Sequence, residues 1–142
     1  MVKAIKKAGM LDQVILIAYS TEQAKRLHKL APTAALSVSV FKPSDLDALQ
    51  KAGIPTKVMT AWTGKGPLSK LMVSTLRDNN IPILAASFYN VDDAVATTGN
   101  TNLYVEYAKT PDLVVSDRAF DAQQVLEFTG KNLEKMNACL AK

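Results

Sequence analysis

Cysteine and histidine each occur once in the 142 residues, as Cys139 and His28. A lone cysteine excludes an internal disulfide and any multi-cysteine metal centre. The lone histidine falls mid-helix in "KRLHKL", where a solvated position is expected. Ser20 and Ser116 therefore lack a histidine to activate them, which removes a Ser-His-Asp hydrolase. Long apolar runs are missing too. The longest, "VILIAY" at 14–19, is strand-sized and far short of the ~20 residues that cross a bilayer. The basic N-terminus "MVKAIKKAGM" leads into no signal-like apolar region. Taken as complete, the chain reads as cytoplasmic, with no membrane span. Charge of one sign is not concentrated either. The net charge is +4, from 17 basic and 13 acidic residues, but "KAIKK", "KRLHK" and "GKG" are scattered among acids. Nucleic-acid surfaces need a contiguous basic stripe, so no nucleic-acid partner is expected.

What the sequence does have is a regular beat of strand-like runs. They are "QVILIAYS" (13–20), "ALSVSVF" (35–41), "TKVMTAW" (56–62), "PILAASFY" (82–89) and "DLVVSD" (112–117). Most are continuously apolar, as in parallel strands covered on both faces; "ALSVSVF" alternates in part and predicts a wetter face. Helical segments lie between them. Ser20 or Thr21 caps the first, which Pro32 stops. Ser44 is expected to cap the next, which ends at Gly53. "GPLSKLMVSTLRDNNIP" and "NVDDAVATTG" follow, the latter with Asp92 and Asp93 complementing the helix dipole. One or two closing helices are expected from Ala119 onward, with a break at Gly130. Strand then helix, five times over, predicts an α/β protein with a mainly parallel sheet, as a single domain over 1–142. Two architectures are compatible: an open doubly wound sheet, or part of a (β/α)8 TIM-type barrel.

In both, ligands bind at the carboxyl ends of the strands. The side chains there are Tyr19; Phe41 and Lys42; Trp62 and Lys65; Phe88, Tyr89 and Asn90; and Ser116, Asp117 and Arg118. "WTGKGP" (62–67) follows a strand and can offer backbone N–H groups and Lys65 to a phosphate, although it is not a P-loop. Asp117 and Arg118 read either as a helix cap with an ion-paired base or as a ligand-facing pair.

These residues resemble a known family. "VVSDRAFDAQQVL" (114–126) is similar to the end of glycerophosphodiester phosphodiesterases, whose last barrel strand finishes in a Thr-Asp-Arg-Pro-like turn. "VILIAYSTEQAKRLHKLAP" (14–32) resembles the family's strand ending in Ser-Phe, with Ala18 and Tyr19 in those places. "AWTGKGPLSKLMVSTLRDNNIPILAASF" (61–88) resembles the segment before the following strand, where Phe88 stands at a position often held by tryptophan. The resemblance spans roughly residues 10–128. It implies a (β/α)8 barrel that hydrolyses glycerophosphodiesters to glycerol 3-phosphate and an alcohol. It also implies a divalent metal (Mg or Ca) on carboxylates and a histidine pair in the complete enzyme.

The family's His-Arg-Gly turn, Glu-x-Asp metal pair and His-Asp motif belong to the first half of the barrel, and none occurs here. The resemblance thus assigns this chain the substrate-rim half. Tyr19, Trp62 and Phe88 would line the alcohol or glycerol pocket, Lys65 and Arg118 would favour a small anionic diester, and Asp117 would stand beside them. No catalytic residue, metal ligand or resident cofactor is expected, and the chain alone should not hydrolyse diesters. Closure then requires a missing N-terminal half or a second copy, unless the sheet flattens into an independent anion- or protein-binding module.

Overall fold

Each of the five runs contains a strand, trimmed at its ends. In the computed structural model, which describes residues 1–126, the strands are β1 (Ile15–Ala18), β2 (Ala35–Ser39), β3 (Met59–Trp62), β4 (Ile83–Ala86) and β5 (Leu113–Val115). The helices are α1 (Val2–Lys7), α2 (Thr21–Leu30), α3 (Pro43–Lys51), α4 (Lys70–Asp78), α5 (Val91–Thr98), α6 (Asn102–Tyr107) and α7 (Ala119–Val125). The run at 56–62 is shortened because residues 56–58 wind into a 3-10 turn. Of the expected closing helices α7 is described; Gly130 and Cys139 lie outside the described residues.

Local chemistry sets the helix starts. The Ser20 hydroxyl accepts the Gln23 N–H (3.2 Å) while the Gln23 side chain accepts the Tyr19 N–H (2.9 Å), a reciprocal cap. Ser69 caps α4 singly, its hydroxyl accepting the Met72 N–H. The expected Ser44 cap is corrected. Pro43 occupies the first helical position of α3, where its missing N–H costs nothing, and Asp45 accepts the N–H groups of Phe41 and Lys42 instead.

All four strand pairings are parallel, and spatial order follows chain order from β1 to β5. A doubly wound sheet reverses its order at a switch point; a (β/α)8 barrel does not. The doubly wound alternative is therefore set aside in favour of a partial TIM-type barrel. The sheet is not closed: among the described residues, no strand lies beyond β1 or β5.

Register assigns the faces. Leu16, Leu36 and Met59 are mutual partners, as are Ala18, Val38, Ala61 and Ile83, and this set packs under the helices with Leu46, Leu49, Met72 and Leu76. The opposite, inner face carries Ile15, Ile17, Ser37, Ser39, Thr60, Trp62, Leu84, Leu113 and Val115. The serines that broke the apolar pattern of "ALSVSVF" thus point inward. A second, smaller core joins Val91, Val95, Tyr104 and Ala122 of α5, α6 and α7.

Candidate functional site at the carboxyl ends of the strands

The ends of β3 and β4 converge on one cluster. The Trp62 and Phe88 rings stack with centroids 6.3 Å apart, and Tyr89 meets Phe88 edge-on at 5.6 Å. The Lys65 ammonium lies over both rings, 4.1 Å from the Tyr89 centroid and 5.3 Å from that of Phe88. Two backbone features build this. Gly64 adopts φ +85° with the Phe41 ring 3.3 Å from where a Cβ would stand. Tyr89 is held at φ +59°, a left-handed conformation uncommon outside glycine, where the chain turns from β4 into α5. The loop is tied down by the Ala86 N–H donating to the Gly64 carbonyl (2.9 Å) and the Asn90 side chain donating to the Lys65 carbonyl (3.2 Å). The structure thus brings together Trp62, Lys65 and Phe88, and adds Tyr89 to them.

Tyr19 stands elsewhere on the same rim. It is exposed at the end of β1, beside a cleft of about 240 Å³ lined also by Thr21, Ser39, Phe41 and Asp45. The N–H groups of Tyr19, Phe41 and Lys42 are already bonded to Gln23 and Asp45. This part of the rim therefore offers a ligand side chains rather than free backbone donors.

The end of β5 is organised by a residue not among the expected site residues. Asp92 lies in the first turn of α5, where it was expected as a dipole partner, but its side chain turns inward, leaving the residue 3% exposed. It accepts from the Tyr104 hydroxyl (3.0 Å), the Ser116 hydroxyl (3.0 Å) and the Asp117 N–H (2.7 Å). Burial pushes the carboxyl upward, but the polar groups around it, Ser87, the Asp117 N–H, Ser116 and Tyr104, outweigh it and hold the pKa below the usual value. Burial also raises the Tyr104 phenol, and Asp92 adds to that rise. The expected cap is corrected as well. Asp117 does not cap α7; Arg118 is the capping position, with no side-chain bond, and its own N–H donates to Ser116. The Arg118 guanidinium pairs with Asp121 at 2.5 Å. Asp117 keeps an exposed side chain. No hydrogen bond or ion pair among the described residues joins Asp117 or Arg118 to the Lys65 cluster. The signal for Asp92 was only a second acid beside Asp93, ambiguous without the fold.

Among the described residues, no three His, Cys, Asp or Glu side chains converge, and the one buried carboxylate already has its oxygens filled by donors. These residues do not fit a carboxylate-held divalent cation, and no chemical step is derived through one. His28 is half-buried on α2 rather than fully solvated, with Nδ1 turned inward and unpartnered. No helix among the described residues is long and apolar enough to cross a membrane.

No protein-family model and no curated protein matches the sequence. Among solved structures, the chain is similar to a glycerophosphoryl diester phosphodiesterase from Parabacteroides distasonis ATCC 8503. The TM-score is 0.81 over 94% of this chain, at 12% identity. The chain spans 49% of that protein's length. At this identity the likeness is one of fold, and the fold is part of a TIM-type barrel whose sheet is not closed.

Proposed function

We propose that this chain is the substrate-rim half of a glycerophosphodiester phosphodiesterase-like barrel, binding a small anionic diester without hydrolysing it alone. The observation that carries the reading is Lys65, the cation of the rim loop, held over Phe88 and Tyr89 beside Trp62 at the strand ends where ligands bind in parallel barrels. In this arrangement the ammonium attracts the diester anion. The stacked rings offer an apolar wall to the glycerol or alcohol part. Tyr19 extends that wall across the rim, and Arg118, with Asp117 beside it, stands at the end of β5 already paired with Asp121, so the attraction for the anion falls chiefly to Lys65. The alternative is a non-enzymatic module that binds anions or another protein through the same cluster. The full family reaction needs paired acid–base groups and a metal, Mg or Ca, which a complementary half would supply.

The test is calorimetric titration of the purified chain with a glycerophosphodiester, alongside an assay for glycerol 3-phosphate release with and without Mg or Ca. The expected outcome is salt-sensitive binding without turnover, weakened roughly fivefold by Lys65→Ala, the scale of one exposed charge contact. Equal affinity for inorganic phosphate would favour the anion-binding module. Turnover by the chain alone would overturn the non-catalytic assignment.

A further inference from the structure

The helix-covered side of β4 carries a cleft separate from the aromatic cluster of the rim. Its volume is about 500 Å³, within the range of ligand pockets. Ala85 lines it from the strand, facing the helices because its neighbour Leu84 points inward. Leu68 lines it from the loop before α4, Val91 and Ala94 from α5, and Leu103 and Tyr107 from α6. Ala85 and Ala94 present only a methyl group where larger side chains would fill the space. The two largest polar side chains on the walls are already engaged. The Tyr107 hydroxyl donates to the Ala86 carbonyl (2.7 Å), and Glu106 pairs with Lys109 (2.6 Å). The cleft therefore offers an occupant mainly apolar contact.

Its shape and its two ends narrow the occupant. The cleft follows β4 from Gly66, at the carboxyl end of the sheet, to Pro111, just ahead of β5 at the amino end. The four residues of β4 span roughly 13 Å, the reach of about ten methylenes. At the carboxyl end Asn90 frames the mouth and donates to the Lys65 carbonyl (3.2 Å), while the Lys65 ammonium lies over the ring of the preceding residue, Tyr89. No ion pair among the described residues engages that ammonium. At the amino end Arg77, which donates to the Thr110 carbonyl, is neutralised by Asp112. The cleft is thus long and apolar, with an uncompensated cation at one end. We propose that it binds a single-chain anionic amphiphile, the alkyl chain lying in the cleft and a phosphate ester standing at Lys65. The head-group half rests on the diester reading above and deepens it, by making the alcohol of the diester a long aliphatic one.

The experiment is calorimetric titration of the purified full chain with n-alkyl glycerophosphates from ethyl to dodecyl, below the concentrations at which they self-associate. Neutral n-alkanols of the same lengths are measured in parallel. The expected result is an affinity that rises about fourfold per methylene, the worth of one buried CH₂, and levels once the ~13 Å cleft is full. Ala94→Phe, and the milder Ala94→Leu, should flatten the rise and leave the affinity for the ethyl diester unchanged; circular dichroism checks that both remain folded. Lys65→Ala should weaken every glycerophosphate by the same factor without changing the slope. An affinity indifferent to chain length, or a rise that neither Ala94 variant alters, overturns the proposal while leaving Lys65-dependent binding of the ethyl diester intact. A rise shared equally by the neutral alkanols and untouched by Lys65→Ala overturns the anionic head, and the diester reading with it.

Discussion

Tyr104 and Asp92, twelve residues apart and both buried, meet through one hydrogen bond of 3.0 Å at the base of the β5 rim. Through it α6 is fixed to α5, and through the other bonds of Asp92 both are fixed to the turn after β5. Asp92→Ala strands two hydroxyls and one backbone N–H in a dry site, for an expected loss of about 3 kcal/mol. Tyr104→Phe removes a single donor and should cost about 1.5 kcal/mol. Urea unfolding of the two variants tests this ranking; equal effects would refute the idea that Asp92 is the hub.

The pH dependence follows from the same carboxylate. Its folded pKa lies below its unfolded value near ~3.9, so its contribution is present above that value and is lost as pH falls through the folded pKa. Stability should decline below about pH 4, and less steeply in Asp92→Asn. At the alkaline end, Tyr104 and Tyr107 are raised by burial, so their contribution is complete below ~10 and vanishes as pH climbs through their folded values. Thermal melts from acid to alkaline pH would show both limbs.

A third prediction concerns the loop under Lys65. Gly64→Ala forces an L side chain into φ +85° and sets a methyl 3.3 Å from the Phe41 ring. The expected cost is about 1–2 kcal/mol, with a matching loss of diester binding. Gly66→Ala, two residues on, has open space around it and no positive φ, and should change stability little. Comparing the two variants separates backbone geometry from general loop sensitivity.

Asp112 carries a fourth. Its carboxylate accepts from Arg77 (2.6 Å) and from the Ile83 N–H (2.8 Å), tying the start of β5 to α4 and β4. The ion pair is solvent-screened and contributes little by itself. Asp112→Ala should therefore cost about 1–2 kcal/mol, chiefly from the strand amide, while Arg77→Ala costs under about 1 kcal/mol. If Arg77→Ala proved the more damaging, the ion pair rather than the strand cap would dominate.

How much of this was legible in the residues depends on the range of the interactions. Strand identity rests on short apolar runs and helix starts on nearby polar groups, so β1 to β5 and the Ser20 cap could be read from the sequence. The Ser44 cap failed because proline's preference for the first helical position set the start two residues earlier, at Pro43 with Lys42 as the cap. Strand order was not readable, since βα units serve both consecutive and doubly wound sheets. Trp62, Lys65 and Phe88 could be grouped because each stands at or just beyond the end of a strand. Asp92 could not, since its partners Tyr104, Ser116 and Asp117 lie 12 to 25 residues away. The direction of a side chain at a helix start is settled only by tertiary packing.

The division of the apolar interior into two cores has a kinetic consequence. The larger one spans β1 to β4 with α2, α3 and α4; the smaller is confined to α5, α6 and α7. A fold assembled from neighbours in chain order, with its last core small, opens in parts rather than all at once. Amide hydrogen exchange should release protons from α6 and α7 well before those of β2 and β3, with β5 exchanging alongside the helices that cover it. The rim turn at Ser116 would then belong to the fast-opening unit and Lys65 to the slow one.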